Sequence, residues 1–590
     1  MWGGSFGWER SCAYRPARRK PGAPSRKGCL ADQQAWRGSR AVGERAVMTS
    51  TTGEGTIGDG TGGESTGSVR VSVVVPVFQP KASFDELIAS LDAQTLDRDA
   101  FEVLLCDDGS GPETAERLAE VARTRPNVRV LSLPHSGWPG TPRNRGVEAA
   151  RGTYVQFVDQ DDRLFPRALE KLCDYADRNG SDVVVGKEVG IGRKLPARIF
   201  RRDIPHAVLG QDPLLEMLTP HKMFRTAFLR EHGIRFPEGK VRLEDHLFVM
   251  QAYFAAETIS ILASEPCYAW VKQPGSASSA RIEPESYFPH LETVLDVVEA
   301  NTEPGRVRDR LLRHWFRGKI LNRIAGRRMV KYPAEYRERL LDVVVPLVQR
   351  RFGPGVDAGL SFPQRIRAGL LRADRREDLV RLAEFEAGME CTATVTAARW
   401  SRGGGLQLTV RVRITRDGEE ALVFEKAGST ERLVSLPLTS LDGLPDGLLI
   451  VGKETRNDRI GLAAQAASDA GAAPATESEP ERRLADKRPK NLTAIPLAVD
   501  PVKVFGDGEA RSAALAVTVR RAGWNLTAPL TAAPGALEKA GRSPLLAGRR
   551  CELAVDADGT VQLRREWPGG AWRDAVARTA RRVRSRLRRG

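Results

Sequence analysis

No stretch of the 590-residue sequence approaches the roughly 20 apolar residues that a membrane-crossing helix needs; the longest apolar runs, near 71–78 and 343–348, suit a strand or a helix core. Cysteine is scarce: seven residues, widely separated, with no CxxC pair. That argues against a disulfide framework or a zinc site and fits a reducing compartment. The arginine-studded first residues lack the apolar stretch of a secretory signal, so a cytoplasmic location is expected. Pro76-Val-Phe-Gln-Pro80, after the first strand-like run, has none of the glycines of a dinucleotide-binding turn, which disfavours an oxidoreductase and a nucleotidyltransferase.

Positive charge is plentiful in total and nearly missing from the middle. Of the formal +16, residues 1–47 and 571–590 carry +7 each, leaving +2 on the other 523 residues. A basic face on a folded domain, and with it a nucleic-acid partner, is therefore not expected. In the tail, Trp572, Val576, Ala580, Val583 and Leu587 recur at helical spacing among arginines. Such a stripe predicts either a basic amphipathic helix on an anionic membrane, here the inner face of the plasma membrane, or a solvated end.

Hydrophobic residues at 41% and charged residues at 28% are ordinary for folded domains, and the length suggests three or four of them. From Val71 onward, β-branched runs alternate with capped helical patterns, Ser83–Glu86 and Ser110–Glu113 reading as capping boxes. This β-α alternation predicts an α/β domain with a mostly parallel, doubly wound, Rossmann-like sheet. The expected organisation is an extension and linker over 1–70, the α/β domain over 71–285 and a helical segment over 286–385. A β-sandwich module over 386–460, a linker over 461–490, a second β module over 491–567 and a basic tail over 568–590 follow.

Four polar clusters fall where such a sheet exposes its carboxyl ends. Asp107-Asp108-Gly109-Ser110 could accept hydrogen bonds from a nucleobase or ribose, or form an Asx turn. Asp159-Gln160-Asp161-Asp162 concentrates carboxylates that a divalent cation would neutralise, the alternative being a solvated turn. Ser136–Asn144 runs through glycines and prolines into a helix start, with Arg143 able to meet an anion. Glu244-Asp245-His246 offers a general base or an acidic helix start.

In order and spacing these motifs resemble the family 2 glycosyltransferases of GT-A fold, and within them the wall-teichoic-acid poly(ribitol-phosphate) N-acetylglucosaminyltransferases. The segments that carry the resemblance are Gly137–Asn144, Phe157–Asp162, Thr219–Arg225 and Phe236–Glu238 leading to Glu244-Asp245. The resemblance implies an inverting, metal-dependent transferase moving GlcNAc or a similar hexose from a UDP-sugar to a hydroxyl of a cell-envelope polymer. It also implies a divalent cofactor, Mn2+ or Mg2+, and a homotrimer. Position by position, it puts Pro76 and Asp108 on the uridine, Arg143 and Asp159 on the nucleotide, and Asp161 on both nucleotide and metal. Glu244 would lie beside the donor sugar, Arg193 near the active site, and Asp245 would be the base. His135 stands where the subgroup has a nucleotide-contacting asparagine. An Arg and a His of the subgroup are replaced within Lys272–Ser279. The competing expectation is a catalytically silent carbohydrate-binding or assembly protein that keeps the fold.

Overall fold

In a computed structural model, the described residues are 68–273, 281–451, 458–468, 471–472, 476–477, 482–483, 492–505, 511–546 and 549–566. Residues 1–67 of the N-terminal extension, the basic tail, and 274–280 with most of the altered motif lie outside them. Among the described residues no helix is long and apolar enough to cross a membrane.

The first region is built on strands β1 (Val71–Val77), β2 (Phe101–Asp107), β3 (Val128–Ser132) and β4 (Tyr154–Phe157). Later strands are β5 (Arg163–Leu164), β6 (Val183–Ile191), β7 (Met223–Arg225) and β8 (Ile259–Val271). They form one sheet in the order β3-β2-β1-β4-β7-β6-β8-β5. Strands β1 to β4 and the pair β6–β8 run parallel, while β7 and β5 are antiparallel to their neighbours, so the sheet is mixed. The β-branched run of β1 forms the middle because it can bury both faces: its valines are at most 1% exposed. The order 3-2-1-4 reverses direction between β1 and β4, opening a crevice at their carboxyl ends.

Helix α1 (Ser83–Asp92) buries Phe84, Leu87, Ile88 and Leu91 against this sheet, and α2 (Pro112–Arg123) packs on β3. Neither uses the expected capping box. Ala82 precedes α1 with no capping side chain, and Ser110 instead donates to Asp107 Oδ1 at 2.5 Å, with Gly111 at the start of α2. Helix α3 (Gly140–Ala149) lies directly on β1, since a Cβ at Gly146 would sit 2.3 Å from Val74. Helices α4 (Ala168–Asn179), α5 (Thr226–Glu231) and α6 (Glu244–Ala255) complete the region.

Helices then run from Pro284 to Ala387, interrupted by a π-helical turn at Phe316–Leu321. Beyond Glu390 the strands do not divide as expected. Glu390–Trp400 pairs with Leu406–Arg416 but also with Trp524–Ala532, and Leu406–Arg416 pairs with Leu492–Val499, so the two presumed modules share one twelve-stranded sheet. The presumed linker over 461–490 opens inside a strand, Arg459–Ser468, paired along its length with Ser512–Arg521. Its alanine-rich composition hid a period-two pattern in which Ile460, Leu462 and Ala464 are buried. The helices dock onto this sheet through Glu386, which accepts from Trp524 Nε1 at 3.0 Å and pairs with Arg367.

Candidate active site

The crevice between β1 and β4 gathers the acidic turn. Asp159 follows β4, and Gln160 ties the turn to the end of β1, its side-chain amide bonding Phe78 N and O at 2.9 Å each. Asp162 is buried and structural: its carboxylate accepts from Tyr268 Oη and from Val271 N, both at 2.7 Å. Burial first, and then the charge of Asp159, push Asp162 up to about 7 against the opposing pull of His221. Asp161 is half-buried, accepts from no side chain among the described hydrogen bonds, and is raised by burial and by the charge of Asp159.

Arg143, on the first turn of α3, is 4% exposed. It donates through Nη2 to Asp159 Oδ1 at 2.6 Å, while its Nη1 stands 3.9 Å from Glu244. Nε and Nη1 of Arg143 are buried with no hydrogen-bond partner, an arrangement that costs several kcal/mol unless an anion completes it. Asn144 beside it clamps the Phe236 backbone, accepting from N and donating to O at 2.9 Å each.

On the β2 side, Asp108 accepts from Ser136 N, Ser136 Oγ and Gly137 N, which folds the Gly-Trp-Pro-Gly loop over the strand end. His135 binds the Asp108 carbonyl through Nδ1 at 2.8 Å and stacks on Phe78 with ring centroids 4.5 Å apart. Pro76 lies near the end of β1. Arg193, past β6, rests over the Trp270 ring at 4.0 Å, with a buried Nε that lacks a partner.

Glu244 and Asp245 open α6, and Leu243 just before them is held at φ +62°. A left-handed non-glycine backbone costs of order 1 kcal/mol and persists where surrounding packing fixes it. Burial and the Asp245 charge raise Glu244 to about 7, and Asp245 is raised chiefly by burial. The helical segment reaches this point too: Trp315 Nε1 donates to His246 Nδ1 at 3.1 Å, and the charge of Lys319, on the π turn, acts on Asp245.

Sequence reasoning gave no role to His221 and Lys222, which lie in the Thr219–Arg225 motif, and missed Glu188 and Tyr268. His221 bridges Asp159 and Glu188 beneath the turn and stacks on Tyr268 at 4.0 Å. Lys222, 0% exposed, donates to Thr219 O, and burial lowers it to about 8. The available signal was a His-Lys pair leading into an apolar strand start. Asp159, Asp162 and His221 bring three potential ligand atoms within 4.8 Å of one another, although His221 spends both ring nitrogens on Asp159 and Glu188.

A crevice at the strand ends of a GT-A-like sheet, carrying an Asp-x-Asp turn, a buried arginine and a carboxylate pair, defines the class of nucleotide-sugar transferases. Residues 72–240 match the glycosyl transferase family 2 model, and residues 284–383 match the glycosyl transferase TarS linker domain. The chain is 34% identical over 239 residues to poly(ribitol-phosphate) beta-N-acetylglucosaminyltransferase TarS of Staphylococcus aureus, covering 40% of this chain and 42% of the relative. It is 32% identical over 236 residues to poly(ribitol-phosphate) beta-glucosyltransferase of Bacillus spizizenii, covering 40% and 37%. These matches span about two fifths of the relatives' own lengths. The crystal structure of S. aureus TarS shares the fold at TM-score 0.50 and 20% identity, over 85% of this chain and 86% of that one.

Proposed function

We propose that this protein is an inverting glycosyltransferase that moves a hexose, GlcNAc or a close relative, from a UDP-sugar to a hydroxyl of a teichoic-acid-like polyol phosphate. The observation that carries the reading is Arg143, buried with two unpartnered guanidinium nitrogens between the Asp turn and the Glu244-Asp245 pair. A buried cation with free donors is suited to a diphosphate. The acceptor class follows from the two relatives, both of which act on poly(ribitol-phosphate).

The site suits a divalent ion, Mn2+ or Mg2+, because Asp161 offers a carboxylate that no side chain hydrogen-bonds among the described residues. When bound, such an ion supplies charge neutralisation for the departing diphosphate. Arg143 offsets part of the same charge from its fixed place, at no reorganisation cost during the reaction. Pro76, Asp108 and His135 line the uridine end, and Arg193 and Glu244 lie toward the phosphates and sugar. Asp245 takes the acceptor hydroxyl proton as that oxygen bonds to the anomeric carbon, and the bond to the UDP oxygen breaks on the opposite face. Burial suits Asp245 to this task by making it a stronger base than an exposed carboxylate. The test is product analysis: with UDP-GlcNAc and poly(ribitol phosphate), the new linkage should be β, the inverse of the donor.

Since the Glu244-Asp245 pair holds a proton up to about neutral pH, turnover should rise with pH through about 7. Glu244→Gln removes the like charge beside Asp245, so the rising limb should move to lower pH. A pH–rate profile of the two proteins checks this.

Self-association as a homotrimer is proposed for the region after Glu390, which among the described residues holds most of the exposed large apolar side chains, Val423, Val434 and Leu545 among them. Sedimentation equilibrium of the full chain should give three times the 64.7 kDa chain mass. A monomer would overturn it. Attachment of the 568–590 tail to anionic membrane is part of the same proposal, in keeping with an envelope-polymer acceptor.

A further inference from the structure

Resting on that reading of the site, we infer that His221 is a positioning residue of the transfer reaction: a buried imidazolium, clamped between Glu188 and Asp159, that fixes Asp159 and reserves Asp161 for the metal-bound nucleotide. Hydrogen-bond direction sets the protonation of the ring. His221 Nε2 stands 3.2 Å from Asp159 Oδ2 and His221 Nδ1 stands 3.3 Å from Glu188 Oε2. Carboxylate oxygens accept, so both ring nitrogens must carry protons and the ring is a cation. Thr219 Oγ1 donates to the other Glu188 oxygen at 2.7 Å, so Glu188 also acts as a double acceptor.

The charges then alternate across the floor of the crevice: Glu188 on β6, His221 just before β7, Asp159 after β4, Arg143 on α3, Glu244 on α6. Each Asp159 oxygen thereby faces a protein cation, His221 on Oδ2 and Arg143 on Oδ1. Two charge-assisted contacts fix the carboxylate's rotation, and Asp159 N adds a third anchor by donating to Tyr268 Oη at 3.1 Å. The Tyr268 ring, stacked on His221 within 7° of parallel, ties the imidazolium to the strand that also holds Asp162. With Asp159 and Asp162 satisfied by protein donors, Asp161 is left as the open acid of the turn. Removing the His221 charge would let Asp159 swing and compete for the cation that Asp161 should hold.

The experiment measures UDP affinity by calorimetry in the presence and absence of Mn2+, with folding followed by near-UV circular dichroism. His221→Gln leaves Glu188 and Asp159 facing each other with no cation between them; if that protein does not fold, the paired His221→Gln/Glu188→Gln variant removes one of those charges and carries the test. The expected result is a loss of about tenfold or more in Mn2+-supported UDP affinity, the scale of defects in groups that orient metal-site ligands. Asp159→Asn and His221→Gln should also be non-additive, the double variant binding no worse than the weaker single one, because one acts through the other. Unchanged Mn2+-supported affinity in the paired variant, or losses that multiply, would overturn the inference, since a ring that merely packs on Tyr268 acts independently of Asp159. A wild-type chain that binds no UDP at all would instead overturn the proposed function on which the inference rests.

Discussion

Asp245→Asn is expected to lower sugar transfer by at least ~10²-fold while leaving UDP affinity within a few-fold, the pattern for loss of a general base from a site of unchanged shape. The residue opens α6 after the strained Leu243, so its backbone is fixed independently of its charge. Its Oδ1 already accepts from His246 N at 2.8 Å, a contact the amide oxygen can keep. What the amide cannot do is take the acceptor's proton. Steady-state transfer rates beside UDP calorimetry separate the two effects. Should transfer survive, Glu244 is the next carboxylate to test, because it shares the same helix start and is held at about 7.

Asp161→Ala should remove the stimulation of donor turnover by Mn2+ and weaken Mn2+-supported nucleotide binding. Asp159 is a poor substitute ligand: although burial alone would raise it, the Arg143 and His221 cations hold it well below the usual carboxylate range. Asp162 is committed to Tyr268 and Val271. No neighbouring acid in the turn can therefore replace Asp161 without breaking protein contacts. Titration of UDP release against Mn2+ is the measurement, and unchanged metal dependence in the variant would refute the role.

How much of this was legible in the sequence follows from what kind of signal each part leaves. The β1 valines and the Asp-rich turn after β4 announce themselves locally, through composition and through placement at a strand end. The residues singled out from the motifs do converge on one crevice: Arg143 meets Asp159, Glu244 stands near Arg143, and His135 bonds the Asp108 backbone. The Thr219–Arg225 motif holds His221 but not its role, and Glu188 left no trace, because the partners of His221 lie 62 and 33 positions away in the chain and meet only when β7 inserts antiparallel between β4 and β6. The capping boxes failed for a related reason: Ser110 finds Asp107 and the Gln79 amide, which leaves it no part in starting α2. In the C-terminal region, strands separated by more than 100 residues pair, as Ala393 with Leu530, which no local pattern encodes.

The central claim is that the crevice binds and activates a UDP-sugar. It is tested most directly by UDP release from a panel of UDP-hexoses, with and without Mn2+, before and after addition of poly(ribitol phosphate). The account predicts Mn2+-dependent release from at least one donor, accelerated by the polymer and lost in Asp161→Ala and Asp245→Asn. Equal release by wild type and both variants, or no release from any donor in the presence of metal and polymer, would contradict it.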